Sequence, residues 1–74
     1  MVAEHLRKYG IKPSVQRIAI MDYLLNHKTH PTADEIYSAL QPTMPTLSKT
    51  TVYNTMKLFV EYGAALGLNI EEKN

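Results

Sequence analysis

The fold of this chain is decided by residues 47–59, which run Leu-Ser-Lys-Thr-Thr-Val-Tyr-Asn-Thr-Met-Lys-Leu-Phe. Ser48 predicts the start of a helix, because its hydroxyl can accept a hydrogen bond from a backbone N–H of the first turn. Helical spacing places an apolar stripe on one side, made of Val52, Met56, Phe59 and Gly63. The other side carries hydroxyl, amide and charged groups, at Thr50, Asn54, Lys57 and Glu61, with Tyr53 at the boundary. The segment therefore predicts a helix that docks on a core and presents a polar face.

The polar face of this helix has two interpretations. The major groove of DNA suits short donors and acceptors, a flat ring and positive charge, and this face offers all of them. A solvated amphipathic helix shows the same pattern, because such faces are common on soluble proteins. The helix alone leaves both interpretations open.

The composition is typical of one small globular domain. The chain has 74 residues, of which 45% are hydrophobic, and a formal net charge of +1. This is near the lower size limit for a self-sufficient core. Its positive charge lies in residues 1–60, which is compatible with a phosphate-binding face, whereas residues 61–74 are net acidic. We expect no membrane contact, because no apolar run reaches transmembrane length. The absence of cysteine excludes a disulfide scaffold or thiolate metal site in these residues and fits a cytoplasmic location.

Two helices are predicted before residue 30. Residues 2–9 favour a short helix that stops at Gly10, and Ser14 can cap a second helix that runs to about Asn26. The connection between them contains Pro13, whose preceding residue avoids the helical region. Helical spacing predicts the buried side of the second helix, which comprises Val15, Ile18, Met21, Leu24 and Leu25.

A third helix and a strand are predicted on either side of residues 48–61. Thr32 and Glu35 have the spacing of a capping box, which predicts a helix through Leu40. Prolines at positions 42 and 45 then enforce a loop before the helix that Ser48 caps. Residues 64–70 are apolar with partial alternation, which predicts a strand, and residues 71–74 predict a turn.

The order of these elements predicts a mainly α fold, a winged helix-turn-helix with three to four helices and an incomplete wing hairpin. In that fold the second helix of the pair enters the major groove of DNA. A single strand leaves its backbone donors and acceptors unpaired. We therefore expect residues 1–74 to be one winged-helix DNA-binding domain taken from a longer protein, or the strand to pair with another copy.

Three motifs stand in order at residues 10–17, 30–37 and 47–54. They run Gly-Ile-Lys-Pro-Ser-Val-Gln-Arg, then His-Pro-Thr-Ala-Asp-Glu-Ile-Tyr, then a stretch that begins Leu-Ser and ends Thr-Val-Tyr-Asn. From about Leu6 to Asn74 the chain resembles the N-terminal domain of ferric uptake regulators, most closely their peroxide-sensing branch. The resemblance implies a metal-dependent bacterial repressor that controls iron uptake or peroxide stress. It also implies a homodimer on A·T-rich double-stranded operator DNA, with the dimerisation domain beyond residue 74.

The resemblance assigns DNA contacts residue by residue. Tyr53 matches a tyrosine that lies against thymine methyl groups, and Lys12 matches a lysine that enters an adjacent minor groove. Asn54 departs from the Arg of many members; its amide can read adenine but cannot grip a phosphate by charge. The remaining candidates for phosphate or base contacts are Gln16, Arg17, Ser48, Lys49, Thr50, Thr51 and Lys57.

His30 matches a regulatory metal ligand of the family. The resemblance implies iron, manganese or zinc at that site in the intact protein, together with a structural zinc held by cysteines beyond residue 74. One imidazole does not make a closed site, so we expect no metal cofactor in this chain. His5 and His27 are predicted to be surface residues without partners.

Catalysis is not predicted, because the sequence has no Gly-rich phosphate loop, no HExxH motif and no nucleophile elbow. The alternative function comes from another class. A winged-helix module can serve protein interaction without base-specific DNA binding, in which case Tyr53, Phe59, Tyr62 and the apolar strand would form the contact surface.

Overall fold

The computed structural model describes residues 1–65, and this part of the chain is mainly helical, as predicted. Its helices are α1 (Val2–Lys8), α2 (Val15–Asn26), α3 (Ala33–Leu40) and α4 (Lys49–Glu61). Helix α2 packs against the other three, and α3 also packs against α4, so α3 and α4 form the helix-turn-helix pair. Of the predicted wing strand, residues 64 and 65 form a bend; residues 66–70 and the predicted turn at 71–74 lie outside the described residues.

The predicted helix starts are confirmed by three side-chain caps. The hydroxyls of Ser14, Thr32 and Ser48 each accept a hydrogen bond from the backbone N–H three residues further on, at 3.2, 3.1 and 3.0 Å. Each bond satisfies one orphan donor of the first turn. The carboxylate of Glu35, however, accepts a hydrogen bond from the Tyr23 hydroxyl of α2 at 3.0 Å. The Glu35 carboxylate of the predicted capping box therefore ties α3 to α2.

Helix α1 stops before Gly10, as predicted, and the structure shows that it ends in a Schellman motif. Gly10 has φ +80°, where an L side chain is strained. Its N–H donates to the carbonyl of Arg7, and the N–H of Ile11 donates to the carbonyl of Leu6, both at 3.0 Å. Since Leu6 and Ile11 are both buried, this turn fixes where the chain leaves α1.

The buried side of α2 differs from the prediction. Ile20, Met21 and Leu24 are buried, whereas Val15 is 77% exposed and Leu25 is 40% exposed. At about 100° per residue, Val15 lies almost opposite the centre of the buried set. The sequence offered several apolar stripes on this helix, and contacts with three neighbouring helices select one of them. The prediction was therefore wrong for Val15 and Leu25.

The core of the described chain joins all four helices with the loops between them. It consists of Leu6, Ile11, Ile20, Met21, Leu24, Ile36, Leu47, Val52, Met56 and Phe59. Leu47 belongs to the loop before α4, so burial of this side chain anchors the start of that helix. Within residues 1–65, every helix is too short or too polar to cross a membrane.

Candidate nucleic-acid interface

Helix α4 turns its polar face outward, as predicted. Val52, Met56 and Phe59 are at most 1% exposed, which fixes the rotation of the helix about its axis. Thr50, Asn54 and Lys57 are consequently exposed, and Tyr53 is half-buried at the boundary. The candidate contact surface of the protein-interaction alternative loses one member, because Phe59 lies wholly inside the core.

The first turn of α4 is held by two hydroxyl groups. Ser48 Oγ accepts from the backbone N–H of Thr51 at 3.0 Å and donates to Thr51 Oγ1 at 2.9 Å. One of the two hydroxyl protons is therefore used within the protein, and the other can be donated to a phosphate oxygen.

Lys49 already has a partner of opposite charge. Its Nζ lies 3.0 Å from Oδ1 of Asp34, in the first turn of α3. The two side chains are 61% and 74% exposed, so solvent screens the pair and its contribution is small. A phosphate oxygen would compete with Asp34 for this lysine. The pair joins residues on two helices, so spacing along the sequence gave no signal for it.

The connection between α1 and α2 carries the second group of predicted contacts. Lys12 is exposed, while Gln16 and Arg17 are half-buried in the first turn of α2. Nη1 of Arg17 donates a 2.9 Å hydrogen bond to the backbone carbonyl of Lys12. The structure thus brings two predicted DNA contacts together, through the backbone of one and the side chain of the other.

His30 lies on the surface between α2 and α3. Its φ is +59°, the left-handed region, although the next residue is the buried Pro31, before which extended backbone is favoured. In residues 1–65, no group of three or more His, Cys, Asp or Glu side chains lies close enough together to hold a metal ion. His30 itself offers one imidazole.

The other two histidines differ from the prediction that they lack partners. His5 is half-buried, with its ring centroid 5.2 Å from that of Tyr9, and its Nε2 is buried with no hydrogen-bond partner in the described chain. His27 is exposed but stacks on Tyr23, with centroids 3.9 Å apart and ring planes 9° from parallel. Both contacts join aromatic rings four residues apart along the chain, and His27 Nδ1 also lies 2.9 Å from the carbonyl oxygen of Tyr23.

Tyr23 also has a perturbed acid–base equilibrium. Partial burial raises the pKa of its phenol above 10.0, and the hydrogen bond to Glu35 and the charge of that carboxylate raise it further. The phenol therefore stays protonated and keeps the bond between α2 and α3 up to alkaline pH.

Comparison with known proteins agrees with the predicted resemblance. A model of the ferric uptake regulator family matches residues 8–74. Over 58 residues the chain is 50% identical to the peroxide-responsive repressor PerR of Staphylococcus epidermidis, covering 78% of this chain and 39% of that protein. PerR of Staphylococcus aureus strain Mu50 gives the same identity and coverage.

Solved structures of PerR share the fold. One concerns peroxide sensing and gene regulation by PerR from Streptococcus pyogenes; it matches with a TM-score of 0.71 and 45% identity, over 81% of this chain and 41% of that one. A structure described as PerR-Zn-Zn has the same TM-score and identity and is covered to 38%. The chain thus spans about two fifths of the length of these relatives. The predicted family and its peroxide-sensing branch are confirmed.

Proposed function

The chain belongs to the ferric uptake regulator family, and we propose that it is the DNA-reading domain of a metal-dependent bacterial transcriptional repressor. The repressor binds A·T-rich double-stranded operator DNA as a homodimer in the cytoplasm and controls iron uptake or peroxide stress genes. The observation that supports this most is the exposed polar face of α4, on a helix fixed by a buried apolar side. Helix-turn-helix proteins present their second helix to the major groove in this way.

Tyr53 and Asn54 read bases in this proposal. The Tyr53 ring offers an apolar surface to a thymine methyl group, while its hydroxyl remains able to hydrogen-bond. Asn54 is exposed and offers an amide, which suits adenine N6 and N7. Both lie in the first turns of α4, next to the end that Ser48 and Thr51 hold rigid.

The surrounding polar groups position the helix on the DNA backbone. Lys57 and Thr50 flank the base-reading residues on the exposed face, and Lys49 exchanges Asp34 for a phosphate. Lys12 reaches an adjacent minor groove, and Gln16, in the first turn of α2, contacts the DNA backbone. Such contacts set register and affinity, whereas base contacts carry sequence preference.

His30 contributes one ligand to a regulatory metal in the intact protein. As the family resemblance implies, the other ligands and the structural zinc site would come from segments beyond residue 74. Iron, manganese or zinc would supply charge there and bind several ligands at once.

A salt titration of DNA binding tests the proposal. Binding is measured to an A·T-rich inverted repeat and to a scrambled duplex of equal composition, for this chain and for a version continued through the second domain of its relatives. We expect preference for the repeat, with affinity falling steeply with salt as counterions are released. The longer version should bind more tightly, because two half-sites are then engaged together. Equal, salt-insensitive binding of both duplexes would refute the proposal and favour the protein-interaction alternative.

A further inference from the structure

The segment that carries Lys12 is held at both of its ends. On one side Ile11 is only 3% exposed, and its N–H is bonded to the carbonyl of Leu6. On the other side Ser14 caps α2. Pro13 adds a fixed φ and restricts the backbone of Lys12 to extended conformations. The Lys12 side chain is exposed at the centre of this anchored segment.

Arg17 completes the attachment of this segment. Its backbone N–H bonds Ser14 Oγ, and its Nη1 bonds the carbonyl oxygen of Lys12 at 2.9 Å. One side chain therefore fixes the peptide plane that directly follows the Lys12 α-carbon. Together with the preceding peptide, which follows the anchored Ile11, that plane fixes the direction of the Lys12 Cα–Cβ bond.

We propose that Arg17 is a positioning residue for Lys12, acting through the Lys12 carbonyl rather than through a phosphate of its own. This inference rests on the proposed DNA-binding function. A lysine held in one direction loses less conformational freedom when it enters a groove than one on a free loop. Arg17 suits the task because its planar guanidinium is always charged and has donors in a rigid arrangement.

A double-mutant cycle distinguishes positioning from direct contact. The variants are Arg17→Met, which keeps most of the aliphatic stem and removes the donors, Lys12→Ala and the double variant. Each is titrated with salt on the A·T-rich repeat and the scrambled duplex. We expect Arg17→Met alone to weaken binding to the repeat by about threefold to tenfold, in the range of coupling within one hydrogen-bond network. In the Lys12→Ala background the same change should alter affinity by less than about twofold and leave the salt slope unchanged.

The opposite result in that background would overturn the inference. If Arg17 binds a phosphate itself, Arg17→Met weakens binding equally in both backgrounds and lowers the salt slope by about 0.9 in each. Arg7→Met is the matched control, because it removes an equal charge from an exposed site of α1. It should leave the coupling between Arg17 and Lys12 intact.

Two further measurements keep the outcome unambiguous. Thermal unfolding shows whether Arg17→Met folds; if it does not, Arg17→Lys replaces it in the same cycle, since lysine keeps the charge and lacks the planar fork. If the unaltered chain and its longer version show no preference for the repeat, the proposed function fails and the positioning role with it. Preference for the repeat combined with an additive cycle refutes the positioning role alone.

Discussion

Replacing Asp34 by Asn should strengthen DNA binding while it weakens the fold. Asp34 holds Lys49 at 3.0 Å and lies in the first turn of α3, beside the start of the proposed recognition helix. Binding of a phosphate by Lys49 must break or share this ion pair. Because both side chains are mostly exposed, the pair contributes at most about 1 kcal/mol. Loss of this competition therefore increases DNA affinity by up to about fivefold, since 1.4 kcal/mol corresponds to tenfold.

The same substitution removes an acid from a helix N-terminus. That acid interacts favourably with the α3 dipole by about 0.3–1 kcal/mol. With the lost ion pair, the free energy of unfolding should fall by roughly 0.3–2 kcal/mol. Opposite changes in DNA affinity and stability are the signature of an ion pair that competes with the ligand.

Fluorescence anisotropy with a labelled inverted repeat measures the affinity, and urea unfolding measures the stability. Glu61→Gln is the matched control, because it removes one acid from an exposed site at the far end of α4. An Asp34→Asn variant that binds no more tightly than this control would refute the reasoning. So would a gain that persists when Lys49 is also changed to Gln, because the gain would then be a general effect of net charge.

Three further changes test other parts of the structure. Tyr53→Ala should weaken binding to the repeat by about 1–3 kcal/mol and leave the scrambled duplex almost unaffected, as expected for a lost base contact; equal losses on both duplexes would contradict this role. His30→Gly should raise the free energy of unfolding by up to about 1 kcal/mol in urea, because glycine adopts φ +59° without strain; a decrease would contradict the strain. Tyr23→Phe should remove a pH-dependent part of the stability. Because the phenol pKa is raised in the folded state, the phenol stabilises the fold below pH 10, and this stabilisation is lost as pH rises through the folded-state pKa. The unfolding curves of the two proteins should therefore converge only at alkaline pH.

Features that depend on neighbouring residues could be predicted from the sequence. The caps at Ser14, Thr32 and Ser48 involve an N–H only three residues away, so residue type and spacing suffice. The burial of Val52, Met56 and Phe59 in α4 was also predictable from their apolar stripe, whereas the polar Thr55 beside them is buried as well, which residue type did not indicate. Helix α2 has several candidate stripes, and only its packing against three helices decides that Val15 faces solvent.

The contacts that modify the candidate site could not be predicted in this way. The pair of Lys49 and Asp34 depends on how the α3 and α4 axes cross. The bond from Arg17 to the Lys12 carbonyl depends on the path of a loop that the buried Ile11 and the turn at Gly10 determine. The sequence identified Lys49 and Arg17 as candidates for DNA contact, but it gave no sign that both side chains have partners within the protein.

The residues predicted to contact DNA therefore fall into two groups, those that already have a partner within the protein and those that do not. Ser48, Lys49 and Arg17 already make hydrogen bonds or an ion pair within the protein, so a contact with DNA must share or replace that bond. Asn54 and Lys57 are exposed and take part in no side-chain hydrogen bond or ion pair of the described chain. Groups of the first kind hold the helix ends and loops in place, and this rigidity lowers the entropy lost on binding. We expect substitution of Asn54 to change the preference for the repeat over the scrambled duplex, and substitution of Lys57, Lys49 or Ser48 to change the affinity for both duplexes, because phosphate contacts carry no sequence information.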